Sequence, residues 1–468
     1  MSYLPRTTPE SVGISSRTLL ELMQKLDKLE YINSIMIMRH GQVCLETWVK
    51  PYKKDVPHQL FSLSKSFVSC AVGIAQKAGL LKISDKLVTF FPEYANAVTD
   101  PMMNQVTLQD LLTMRSGHLQ CATRFFWERR DWCKAFLESK LDTTPGTTFT
   151  YNSAATYMLA AVIRKVTGLN VREYLMDKLF QPLGIAPGLW ENSPENINCG
   201  GWGLYLCTED IAKFAQMLLQ NGFWQGREIV PAEYIAEAVQ KHADNSANTL
   251  IDWQQGYGYQ FWRSLHGFRG DGASGQYAVM LPEQDIAIAV TSCVGNMHEI
   301  LTAFWEILLP AAGDKSLPED SAAVNKLNAY LNNMAIPAVP GDITRRGENR
   351  TFYFAENPEK ISSCEVTFGE KECTLTFNGP HGIEQLRAGF GFFARSIFQL
   401  TDHYAHPVAS SAAWTSDHTL EIRSFITDGI YRDIWVVDFN DPAEPLKNQS
   451  LCGCFRPLKP RFTALNAE

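Results

Sequence analysis

Apolar residues first recur at helical spacing at Leu19, Leu22, Met23 and Leu26, behind Ser15 and Ser16, whose hydroxyls suit a helix start. Ser34 to Arg39 and Val43 to Trp48 then read as strands, split by His40-Gly41-Gln42 as a hairpin turn. The helical period returns from Phe61 to about Leu80, and again over Leu108 to Met114, Ala154 to Thr167 and Thr208 to Leu219. Strand patterns reappear at Gln276 to Leu281 and Ile286 to Ser292, around a Pro282-Glu283-Gln284-Asp285 turn, and Met297 to Leu309 predicts a closing helix. Strands at about 31–50 and 257–293 thus flank a helical stretch of about 81–222. That order implies one sheet completed by distant segments, with an inserted helical subdomain.

Pro310-Ala-Ala-Gly-Asp and then Pro318 break the pattern, which places a first domain at 1–312. A linker, 313–349, carries a short helix over Ala322 to Leu331 and further breakers at Pro337, Pro340 and Gly341. Beyond it the period becomes two. Cys364, Val366 and Phe368 alternate, Gly369 to Lys371 turns, and Cys373, Leu375 and Phe377 alternate back. With Leu420 to Phe425 and Tyr431 to Phe439, this predicts an antiparallel all-β domain over 350–468, a sandwich or barrel-like sheet whose strands end by about Pro457. The class expected is α+β with an added β domain.

Composition narrows the function. The 468 residues are 45% hydrophobic and 20% charged, enough for sizeable cores and unlike a disordered chain. Lys and Arg number 42 against 50 Asp and Glu, a net charge of -8 with no basic run, which argues against nucleic acid as a partner. No apolar run is long enough to span a bilayer, and the first sixteen residues lack a hydrophobic signal core, so a cytoplasmic location without membrane attachment is expected. The 11 cysteines are scattered without a CxxC, and Cys452 and Cys454 are too close for a familiar metal clip. The ten histidines form no HExxH, and neither metal nor cofactor is expected.

Three segments could carry chemistry. In Phe61-Ser62-Leu63-Ser64-Lys65-Ser66-Phe67, Ser62 and Lys65 lie three apart at the start of a predicted helix, so their side chains share a face. A desolvated lysine can remove the proton from a serine hydroxyl and make it a nucleophile. The same residues also suit an N-cap serine beside a solvated lysine. The second segment, Pro145 to Ser153, presents Tyr151 in a turn with Asn152 and Ser153. A tyrosine near cations can have a lowered pKa and shuttle a proton, or it can simply anchor the loop. The third, Arg269-Gly270-Asp271-Gly272-Ala273-Ser274-Gly275-Gln276-Tyr277, runs into a strand. It is no dinucleotide fingerprint, because GxGxxG should open a helix. It suits either close backbone approach to a substrate carbonyl or a plain hairpin entry.

In this order the three segments resemble the serine β-lactamase and penicillin-recognising family, in its class C-like branch of β-lactamases, esterases, D-aminopeptidases and 6-aminohexanoate-dimer hydrolases. Thr8 to Ile14 is similar to the branch's opening, Leu111 to His118 to its "LLTHTSGL" segment, and Gly201 to Leu204 with Glu209 to Phe214 to its glycine-rich turn and helix. The likeness runs from about Thr8 to Leu309. It implies an α/β sandwich with an antiparallel sheet and a helical subdomain, the site lying in the cleft between them. It also implies Ser62 as acyl-accepting nucleophile, Lys65 as its base, Tyr151 as second proton-transfer group, and the backbone N–H groups of Ser62 and Ala273 as oxyanion hole.

Two positions depart from the family. Ser153 stands where Tyr-x-Asn is usual, as in the 6-aminohexanoate-dimer hydrolase type, with Asn152 beside it. The third motif lacks its Lys or His. Aligned through Gly272, that position is Gly270, leaving Arg269 and Asp271 as candidate substrate contacts. Efficient β-lactam hydrolysis is therefore not expected. The activity expected is cleavage of a small ester or amide through an acyl-enzyme. Alternatives are acyl transfer from that same intermediate and a catalytically inactive binding or scaffold protein. A Ser-His-Asp hydrolase is disfavoured, since no GxSxG occurs and neither His118 nor His266 has a triad context. Trp202, Tyr205, Tyr257, Tyr259 and Trp262 suit an apolar pocket and a packed seam equally. The β domain is left with two roles, covering the cleft or mediating a homodimer.

Overall fold

The computed structural model describes residues 4–29, 31–399 and 404–450, so Cys452, Cys454 and the far end of the expected 350–468 domain lie outside the described residues. Two compact units form. One comprises the chain up to Thr47 together with Pro57–Asn332, the other Trp48–Val56 together with the chain from Asn333 onward. The nine described cysteines are all free thiols. Among the described residues no helix is long and apolar enough to cross a membrane.

The first unit is built on a six-stranded antiparallel sheet in the order Gln42–Trp48, Ile32–Arg39, Ile286–Ser292, Gln276–Leu281, Phe268–Gly272, Trp262–Arg263. His40 and Gly41, both at positive φ, make the tight hairpin between the first two strands in sequence. Ile35 pairs with Val290 and Ile37 with Ile288, so the centre of the sheet joins segments far apart in the chain. Ile32–Arg39, Gln276–Leu281 and Ile286–Ser292 are buried along their whole length, and the amphipathic helix Thr208–Leu219 packs on them. This explains their near-continuous apolar runs. Helix Ser16–Asp27 starts where expected, with Ser15 Oγ accepting from the Thr18 N–H at 3.1 Å.

The inserted region holds short helices and 3-10 turns around one long helix, Ser153–Thr167, capped by Asn152 and closed by Gly168 at φ 75. The expected helix from Phe61 starts later. Phe61, at φ 48, forces a 3-10 turn over Phe61–Leu63, and regular helix runs over Ser64–Lys77. The closing helix is continuous from His298–Ala303 through a π turn, Phe304–Leu308, to Leu309–Ala311.

The second unit is a curled, half-barrel sheet of nine strands, from Arg350–Tyr353 to Leu446–Ser450. Its ladder is not wholly antiparallel. Gly382–Phe390 runs parallel to His406–Trp414, through Gly389↔Ser411 and Phe390↔Ala412. A parallel pair needs a long connection, and Ala394–Phe398, which pairs antiparallel with His406–Trp414, lies within it. Phe377, Leu375, Cys364 and Trp435 centre the unit's own core. Trp48–Val56 joins it through the Lys50 N–H to Met334 O at 3.2 Å and the Ile336 N–H to Lys50 O at 2.7 Å.

Candidate active site

Helix Ser64–Lys77 carries Lys65 one turn beyond Ser62, and helix Ser153–Thr167 begins with Ser153 facing it. The short pair His58–Gln59 and Tyr205–Leu206 draws the 201–204 turn to the same place. The Leu60 N–H donates to Leu204 O at 2.8 Å, and the Leu204 N–H donates to Ser64 Oγ at 3.1 Å. Gly201 is needed there, because a Cβ on it would stand 2.7 Å from Ser153 O.

Lys65 Nζ lies 2.8 Å from Ser62 Oγ, 3.0 Å from Ser153 Oγ and 2.6 Å from Gly201 O. Burial of the ammonium brings its pKa down to about 7, against smaller opposing effects of Cys121 and Asp271. A neutral amine has two N–H bonds and one lone pair. The Gly201 carbonyl can only accept, and Ser153 Oγ can take the second N–H. The lone pair is then left for the Ser62 O–H, which is the arrangement that makes a serine nucleophilic.

Tyr151 stands beside Ser62 and Lys65, with Lys65 Nζ 4.8 Å from its ring centroid. Its pKa moves opposite to the lowered value suggested by the sequence. Burial, and then Asp271, push the phenol well above its ordinary range, while the neighbouring Ser62 and Trp262 only partly offset them. Tyr151 is therefore a protonated donor at neutral pH. The Trp262 ring stacks on it with centroids 5.2 Å apart.

Arg269 and Asp271 lie on one side of strand Phe268–Gly272, and both are buried. Arg269 Nε donates to Asp271 Oδ2 at 3.0 Å, and its Nη1 donates to Asp252 O and Ser264 Oγ. Its guanidinium carbon lies 4.4 Å from the Trp253 ring centroid. The arginine is fully enclosed and turned into this network. Gly270, aligned with the family's cation, has no room for any side chain, since a Cβ would stand 2.5 Å from Leu63 Cδ1 and 2.6 Å from Ser66 Oγ. A Cβ at Gly272 would lie 2.1 Å from Leu60 O, so the strand end presses against the turn that bears Ser62 and leads directly to Ala273.

Asn152 is wholly buried. Its Oδ1 accepts from the Ala122 and Ala154 N–H groups, and its Nδ2 donates to Ser116 Oγ. It fixes the loop beside the helix start. Sequence reasoning gave no role to Gly201 O, to Gln260 or to Cys121. Gln260 donates to Leu111 O and Leu112 O and accepts from Thr156 Oγ1, which ties the end of helix Leu108–Leu112 to helix Ser153–Thr167. The half-buried Cys121 thiol accepts from the Ser153 N–H at 3.3 Å. Burial alone would raise its pKa, but hydrogen bonds from Thr123, Ser153 and Ala154 leave it lowered. His118 bonds Ser116 and Ser139 in a buried site that lowers its pKa to about 4, while His266 packs on Trp305. Of the aromatic candidates, Tyr205, Tyr257, Tyr259 and Trp262 are buried and Trp202 is half-buried.

A family profile described as Beta-lactamase matches residues 33–297, more than half of the chain. Penicillin-binding protein 4 of Amycolatopsis lactamdurans is 23% identical over 305 residues, 57% of this chain and 79% of that one. The 6-aminohexanoate-dimer hydrolase of Paenarthrobacter ureafaciens is 25% identical over 251 residues, 50% of this chain. The match spans 62% of that protein, less than two thirds of its length. Among solved structures, the octameric penicillin-binding protein homologue from Pyrococcus abyssi is alike in fold over 96% of this chain and 99% of its own, with a TM-score of 0.51 at 17% identity.

Proposed function

The chain belongs to the β-lactamase family, and on that premise we propose that it is a serine hydrolase that cleaves a small, uncharged ester or amide through an acyl-enzyme on Ser62, with esters the better substrates. The observation that carries this is the desolvated Lys65 amine, held between Ser62 Oγ, Ser153 Oγ and Gly201 O. Neutral Lys65 takes the Ser62 proton as Oγ attacks the carbonyl carbon. The N–H groups of Ser62 and Ala273 hold the oxyanion, the Tyr151 phenol donates its proton to the departing oxygen or nitrogen, and Lys65 passes the proton it took from Ser62 to the Tyr151 phenolate, which leaves the amine neutral again. Water then attacks the ester on Ser62, with its proton returned through Lys65. The preference for uncharged substrates is supported by the enclosed Arg269–Asp271 pair and the crowded Gly270, which offer a substrate carboxylate no counter-ion. This favours simple esters over β-lactams.

Intact-protein mass spectrometry after fluorophosphonate treatment tests the assignment. One adduct is expected on the wild type and none on Ser62→Ala, while Lys65→Ala should label at least about 100-fold more slowly. The wild type should hydrolyse p-nitrophenyl butyrate at least about 100-fold faster than the matching p-nitroanilide or nitrocefin. An adduct that survives Ser62→Ala would sink the nucleophile, and absence of labelling on folded wild type would favour a binding protein.

A further inference from the structure

We propose that the second unit carries a binding site for a small organic anion with a flat apolar body, in the cavity between segment Trp48–Val56 and the turn joining strands Gly382–Phe390 and Ala394–Phe398. The cavity holds about 810 Å³, within the range typical of small-molecule sites, and all its lining residues belong to this unit. Its lining combines two chemistries. Trp48, Tyr52, Phe392 and Phe393 supply aromatic surface, and Lys50, Lys53, Lys54 and Arg395 supply positive charge. Asp55 is the one carboxylate among these described lining residues. In a chain of net charge -8, such a local excess of cations is not a reflection of composition.

The turn itself argues for a ligand. Gly391, at φ 79, bends the chain so that Phe392 is left 44% exposed beside the half-buried Phe393. With the half-buried Trp48 and Phe393 beside it, the exposed Phe392 extends a contiguous apolar surface into the cavity, the kind of patch that marks a ligand-binding groove. Arg395 is half-buried, and its Nη2 donates to Pro51 O at 2.5 Å. That bond fixes the guanidinium while using one of its five donors. A fixed, partly desolvated guanidinium beside aromatic rings is well suited to a carboxylate, sulfonate or phosphate whose apolar portion stacks on those rings. None of these residues takes part in the Ser62 site, and the proposal stands whether or not the hydrolase reading does.

Fluorescence titration of the full chain with 8-anilinonaphthalene-1-sulfonate, against the uncharged N-phenyl-1-naphthylamine, tests it. The sulfonate is expected to bind at one site at least about tenfold tighter than the neutral ring system, and to weaken several-fold between about 50 and about 500 mM NaCl. Lys53→Glu and Arg395→Gln should each weaken it at least about fivefold, and Phe392→Ser at least about threefold. Lys53 and Phe392 are exposed, so their variants should fold normally. Blocking Ser62 with fluorophosphonate should leave sulfonate binding unchanged. Equal affinity for the two probes, affinity indifferent to Lys53→Glu and Phe392→Ser, or binding lost when Ser62 is blocked would each overturn the proposal.

Discussion

Lys65 occupies a position where an ammonium ion is poorly accommodated, and that makes it useful. With a pKa near 7, it changes from cation to base within the physiological range. The sign is fixed by burial. The protonated form dominates below pH 7 and cannot accept the Ser62 proton, so kcat/KM for an uncharged ester should rise with pH and level off above about 7. A rising limb centred at 9 or higher would remove Lys65 from the role of base. At this scale the sequence was partly legible. Ser62 and Lys65 lie three apart, and any helical continuation puts such residues side by side. The direction of the Tyr151 shift was not legible, because it depends on burial and on Asp271, 120 positions away in the chain. Nor was the fate of Arg269. Sequence places it beside a motif, while only packing shows its guanidinium against Trp253 and Asp271.

Between elements, the decisive contact is the end of strand Phe268–Gly272 against the turn that bears Ser62. A methyl group at 272 would sit 2.1 Å from the Leu60 carbonyl oxygen, and backbone on both sides leaves little room to yield. Gly272→Ala should therefore cost about 1–3 kcal/mol of stability and slow fluorophosphonate labelling at least about 100-fold. Gly295→Ala, where a Cβ meets nothing within 4 Å, is the matched control and should change neither. Normal labelling of Gly272→Ala would show that the strand end does not shape the site. This strand was hard to read in advance because three of the five residues in Phe268–Gly272 are Arg, Gly and Asp, types with weak strand signals, and glycine ends it. Gln276–Leu281 and Ile286–Ser292, apolar and bounded by a proline turn, were plain. The parallel pair in the second unit had no local signature. Alternation of side chains reports that a strand exists, not which way its neighbour runs.

At the level of the whole molecule, each unit has its own apolar core, so damage to one should be separable from function in the other. Leu375 is fully buried in the core of the second unit. Leu375→Ala should destabilise that unit by about 2–5 kcal/mol, seen as a lowered calorimetric transition, while Ser62 labelling at 25 °C stays at the wild-type rate. Loss of labelling alongside the shifted transition would show that the Ser62 site depends on the second core. The first unit also carries a consequence for synthesis. Ile35 pairs with Val290, a separation of 290 − 35 = 255 positions. At about 5–20 residues per second, a ribosome takes roughly ten to fifty seconds to cover that distance. Throughout that interval the strand Ile32–Arg39, buried from end to end in the finished sheet, has only water, nascent chain or a chaperone for company.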